Sequence, residues 1–99
     1  MDVFDEVRAE RERQDAKWGE QNHPDGTSDN PMNREIAAIS KQDCDEAFAD
    51  DRGTWSHILD EEVAEAFAES DPQKLRTELL QVAAVAVAWV EAIDRRGDK

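Results

Sequence analysis

The chain has 99 residues, with 12 Lys and Arg against 25 Asp and Glu and a formal net charge of −13. That length makes one small domain, residues 1–99, and the acidic excess works against binding nucleic acid or an anionic membrane surface. A single cysteine, Cys44, excludes an internal disulfide and any Cys-x-x-Cys metal pattern.

From the N-terminus, Val3–Lys17 reads as a first helix, with Val3, Phe4, Val7, Gln14 and Trp18 at near-helical spacing and Gly19 as its stop. Asp2 already carries charge, so no signal peptide is expected, and the protein is expected in the cytoplasm. Glu20–Asn33 contains Pro24, Gly26 and Pro31 among Asn, Asp and Ser residues, and reads as a loop of about 14 residues. Arg34–Asp50 reads as a second helix presenting Ile36, Ala37, Ile39, Ser40, Cys44, Ala47 and Phe48, with Cys44 a packed thiol. Gly53-Thr54 breaks the chain, with Thr54 an N-cap for a third helix, Trp55–Glu69. Asp71 and Pro72 are the N-cap and first position of a fourth, Pro72–Arg96. Nothing alternates with period two, so the expected fold class is all-α, a four-helix bundle.

The connection between the last two helices is so short that they must form an antiparallel hairpin. Folding the chain about it sets Glu62 and Glu65 level with Glu78, and Glu61 level with Gln81, to within roughly 3 Å at about 1.5 Å rise per residue. At 100° per residue, Leu59, Val63, Ala66 and Phe67 form the apolar face of the third helix. Glu62 lies inside that face and Glu65 borders it, while Glu78 shares a stripe with Val82, Val85 and Trp89. A carboxylate aimed at an apolar interior is unfavourable unless it is paired or binds a cation. Clustered carboxylates also repel, which a divalent ion reverses. Four carboxylates and one amide are therefore expected to converge as a magnesium site, whereas Glu61 and Glu69 taken alone also suit a solvated helix face. Leu79–Val90 is apolar around almost the whole helix. It is too short for a membrane span, which needs about 20 residues, and it calls for neighbours on every side. A second chain related by a two-fold axis meets that need.

Glu61-Glu62-Val63-Ala64-Glu65, then 12 residues, then Glu78-Leu79-Leu80-Gln81 resembles the acidic motif of the all-α nucleoside triphosphate pyrophosphohydrolases, the MazG-like and dimeric dUTPase-like proteins. The family pattern is Glu-Glu-x-x-Glu followed at a distance by Glu-x-x-Asp. Glu12–Gly19 is similar to the opening helix of small phage and bacterial members, so the resemblance covers most of the chain. It implies cleavage between the α- and β-phosphates of a nucleoside triphosphate, giving a nucleoside monophosphate and pyrophosphate. It also implies Mg²⁺ as cofactor, with Mn²⁺ as a substitute, and assembly into a homodimer or homotetramer. Glu62, Glu65 and Glu78 would be metal ligands, and Glu61 a ligand or the base that orients water. The family's final Asp is Gln81 here, which can ligate a cation but adds no charge.

Lys17, Trp18, Lys41, Asp45 and Trp55 are the candidate substrate contacts, to phosphate, ribose or base. Each has a plainer alternative: ion pairing along its own helix for the charged groups, and a packed indole for the tryptophans. Arg8 and Arg11 are expected to pair with acidic neighbours on the first helix. Two further readings stand beside the enzyme. One is a non-catalytic nucleotide-binding or regulatory protein on the same scaffold, favoured by Gln81. The other is an acidic protein-interaction module, favoured by the charge.

Overall fold

The computed structural model describes residues 1–97. Among them the chain forms four helices and no strand: α1 (Val3–Trp18), α2 (Pro31–Ala49), α3 (Trp55–Phe67) and α4 (Pro72–Arg96). None is long and apolar enough to cross a membrane.

Each helix starts where a side chain supplies the acceptor its first turn lacks. Asp2 accepts from the Asp5 N–H at 2.9 Å, and Asp5 accepts in return from the Asp2 N–H, closing a capping box. Asn30 accepts from the Asn33 N–H, with Pro31 in the first turn. This places the start of α2 three residues ahead of the expected Arg34, because Asn-Pro is itself a cap and first-turn pair. Thr54 and Asp71 cap α3 and α4 as their sequences require. Gly97 closes α4 in the left-handed conformation, at φ 82°.

α3 stops at Phe67, two residues short of the expected Glu69, because the long loop supplies partners for its final turn. Ser28 N–H donates to the Phe67 carbonyl at 3.0 Å, and the Thr27 hydroxyl donates to the Glu69 carbonyl at 2.8 Å. Asn33 Nδ2 adds bonds to the Ser28 and Phe67 carbonyls. The Asp29 N–H bonds the Ser70 hydroxyl. The loop is thereby tied to the turn of the α3–α4 hairpin.

α3 packs against α2 on one side and α4 on the other, and α1 packs on α4 alone. The helices thus lie in the spatial order α2, α3, α4, α1, within a body of 38 × 38 × 18 Å. Among the described residues the buried ones are few and mostly small: Ser40, Cys44 and Ala47 on α2, Ala64 and Ala66 on α3, Leu75 on α4 and Val3 on α1. Ser40, Cys44 and Ala47 recur at helical spacing because α2 has a single neighbour, so only one narrow stripe is covered. Ile36, Ile39 and Phe48, expected on that same face, stay about half exposed. Phe67 is 58% exposed rather than part of the α3 seam. In projection it points between the directions of the two flanking helices and emerges on the open face.

Candidate functional site

The α3–α4 seam brings the acidic motif together. One carboxylate oxygen from each of Glu62, Glu65 and Glu78 lies within 4.8 Å of the others, and all three side chains are half-buried. Glu62 faces α4 because it sits between Ile58 and Ala66 on the wheel, and Glu78 faces back from the stripe it shares with Val82 and Val85. Gln81 is one turn beyond Glu78. With its amide nitrogen turned inward, it donates to Glu62 Oε2 and Glu78 Oε2, both at 3.2 Å. The opposite orientation would set its oxygen against acceptors only.

This crowding shows in the protonation of the group. Burial raises the Glu62 carboxyl above its ordinary range, and the charges of Glu78 and Glu61 raise it further. Glu65 is raised in the same direction, by burial first, then by Glu62, Glu78 and Glu61. Three carboxylate oxygens this close form a donor set that could hold a hard divalent cation.

Glu61 takes a different position from the one expected. It lies on the side of α3 facing α2, where it neighbours the Cys44 thiol and Lys41. It remains close enough to the three-carboxylate cluster to act on it electrostatically. Burial pushes Cys44 up to about 11, with the Glu61 carboxylate as the next cause, so this thiol is an inert packed group at neutral pH.

Lys41 and Asp45, on α2, form an exposed i,i+4 ion pair at 3.0 Å. Lys41 also feels Glu61 and Glu65, after Asp45, and its pKa is raised. The structure therefore sets a cation and its carboxylate partner beside the outer edge of the acidic cluster. Trp55 stacks on Trp89, with ring centroids 6.4 Å apart and planes 10° from parallel. Next to Trp55, Phe48, Gly53, Thr54 and Ile58 complete a shallow, largely apolar pocket of about 230 Å³. The sequence reading did not identify Trp89 as the partner of Trp55. The signal was present, because folding about the α3–α4 turn sets these residues level to within about 5 Å.

Lys17 and Trp18 are not joined to this cluster by packing within one chain. They end α1, which touches only α4, and the Lys17 ammonium lies 4.8 Å over the exposed Trp18 ring. Arg8, Arg11 and Arg13 pair with Asp5, Asp15 and Glu10 along α1. His57 is a capping residue, its Nδ1 taking the Thr54 N–H at 3.1 Å, and His23 is a loop residue bonded to Gln21. No family model, curated protein or solved structure matches this chain.

Proposed function

We propose that this protein is a Mg²⁺-dependent nucleotide pyrophosphohydrolase that cleaves a nucleoside triphosphate to the monophosphate and pyrophosphate. The observation that carries this reading is the meeting of Glu62, Glu65 and Glu78 oxygens within 4.8 Å on a helical hairpin. Clustered carboxylates repel one another when ionised, and a magnesium or manganese ion would offset that repulsion. When bound, the ion supplies charge that neutralises the phosphates and lowers the pKa of a water molecule. Glu62, Glu65 and Glu78 would hold it, and Gln81 could turn its amide oxygen inward as a neutral fourth ligand. Glu61, next to the cluster and on the α2 side, would accept a proton from water and orient it. Lys41 would exchange Asp45 for a phosphate oxygen, a swap between two exposed acceptors of like charge. Trp55, with its neighbouring pocket, offers an aromatic surface to a base.

The proposal includes a cytoplasmic setting, where nucleoside triphosphates are found, and a homodimer or homotetramer as the working form. In such an assembly Lys17 and Trp18 would reach a site only across a subunit boundary.

A second reading is favoured by Gln81. Its amide already satisfies Glu62 and Glu78 without a metal, as suits a binding protein that does not hydrolyse its ligand. Incubating the protein with a panel of ribo- and deoxynucleotides in Mg²⁺ and assaying pyrophosphate separates the two. Pyrophosphate release, lost in Glu62→Gln and Glu78→Gln, supports the enzyme. Nucleotide-induced thermal stabilisation without turnover selects the binding protein, and neither response removes both.

A further inference from the structure

A second cleft opens between α2 and α3, on the face turned away from the acidic cluster. Ser56 lies two and a half turns along α3 from Glu65, at about 3.6 residues per turn, so the two project in opposite directions. Ser40 and Asp43 of α2, with Ser56, His57 and Asp60 of α3, line a hollow of about 290 Å³. Ligand sites start at about 300 Å³, so the hollow suits a small molecule.

Ser40 supplies the observation that points to a ligand. It is 8% exposed, the one buried polar residue among those described. A hydroxyl on a helix commonly bonds the carbonyl one turn back, as Thr77 does to Gln73 at 3.3 Å. The Ser40 hydroxyl makes no such bond, and no other partner reaches it among the described residues. None of their buried polar side-chain atoms is both sealed from solvent and unpartnered, so the Ser40 oxygen opens into the cleft it lines. The rim is acidic. Asp43 and Asp60 are exposed, stand on opposite walls and join none of the ion pairs of the described residues.

We infer that this cleft binds the primary ammonium group of a small aliphatic amine, held between Asp43 and Asp60 with the Ser40 hydroxyl accepting at the floor. The three N–H donors of an ammonium match two carboxylates and one hydroxyl. A bare Mg²⁺ ion fits less well. Its ligands lie about 2.1 Å from it, and so within about 4.2 Å of one another. Among the described residues only Glu62, Glu65 and Glu78 gather three such ligands within 4.8 Å. His57 offers the cleft no lone pair, because its Nδ1 takes the Thr54 N–H and the ring proton is left on Nε2. An ammonium donates over about 2.8 Å to each acceptor and spans a wider set. The net charge of −13 favours a second ammonium on the same molecule. None of this depends on the nucleotide reading.

Calorimetric titration of the full chain with 1,4-diaminobutane tests it, in chelator and about 150 mM salt so that divalent ions and diffuse attraction are set aside. A single saturable site is expected. Asp43→Asn and Asp60→Asn should each weaken it roughly tenfold, and Ser40→Ala roughly fivefold. Glu12→Gln should leave it unchanged, because α1 packs on neither α2 nor α3. Tetramethylammonium, charged but without an N–H, should not bind. Should a variant unfold, amide chemical shifts of the wild-type protein decide, and these should move at Ser40, Asp43 and Asp60 on adding the diamine. Absence of saturable binding would overturn the inference. So would an equal loss in Glu12→Gln, equal binding of tetramethylammonium, or shifts centred on Glu62 and Glu65. Binding of Nα-acetyl-lysine amide without binding of the diamine would also overturn it, by assigning the cleft to a lysine of a partner protein.

Discussion

The amide of Gln81 on α4 reaches across the hairpin seam to Glu62 on α3, nitrogen to Oε2, at 3.2 Å. The same nitrogen bonds Glu78, so one neutral side chain holds two carboxylates that would otherwise only repel. Gln81 is solvent-exposed, so a charge introduced there is not buried. Gln81→Asp should therefore lower the melting temperature of the metal-free protein, by replacing two hydrogen bonds with like-charge repulsion. It should also tighten Mg²⁺ binding, roughly tenfold or about 1.4 kcal/mol for an added carboxylate ligand. Calorimetric Mg²⁺ titration beside thermal melts checks both. Unchanged affinity would remove Gln81 from the site.

Divalent ions should stabilise the folded chain, since the carboxylate cluster exists only when α3 and α4 are paired. At a free ion concentration tenfold above Kd the gain is about 1.4 kcal/mol, a melting shift on the order of 5–10 °C for a chain of this size. Glu62→Gln and Glu78→Gln should lose the increment. Glu69→Gln should keep it, because Glu69 serves the turn by accepting from the Asp71 N–H at 3.0 Å, a bond an amide oxygen can also make. An equal response in all three variants would indicate charge screening rather than a site.

Glu62 and Glu65 have raised carboxyl pKa values in the folded protein, so folding favours their protonated forms. The native state then binds more protons than the unfolded chain between the ordinary carboxylate value of 4.5 and the raised ones. In that window the metal-free protein should gain stability as the pH falls, contrary to ordinary acid denaturation. Denaturant melts from pH 7 to 4.5 should show the gain in chelator and lose it in saturating Mg²⁺. Glu62→Gln should flatten the metal-free profile. A profile identical to wild type would mean that the raised carboxyl lies elsewhere.

Cys44 should react slowly. With its pKa pushed up to about 11, its thiolate fraction at pH 8 is roughly a hundredfold below that of an ordinary thiol. Alkylation followed by mass spectrometry should proceed at that slow rate in the native protein and recover in denaturant. Glu61→Gln should speed the native reaction only modestly, because burial outweighs the neighbouring charge.

Helix existence was legible because it rests on local signals: Thr54 and Asp71 as caps, Pro72 in a first turn and Gly19 as a stop. The pairing of Glu62 and Glu65 with Glu78 was legible for a related reason. A short turn between two helices leaves one antiparallel register, and position along the chain then becomes position in space. The end of α3 was less so, because Thr27 and Asn33 bond across to a turn more than 30 residues away, whereas the start of α2 has its own local signal in Asn30-Pro31.

What tertiary structure alone decided is which side of each helix meets a neighbour. Periodicity placed Phe67, Ile36 and Ile39 on apolar faces, yet these faces open to solvent because one layer of helices covers only the seams. Glu61 and Gln81 are level along the hairpin, but rotation about α3 sends Glu61 toward Lys41 and Cys44, leaving Gln81 to bond Glu62 and Glu78. Height follows from residue count, which the sequence carries in full. Azimuth toward a neighbour depends on where α2, α4 and α1 dock, and docking is a sum of many weak contacts that no local pattern records.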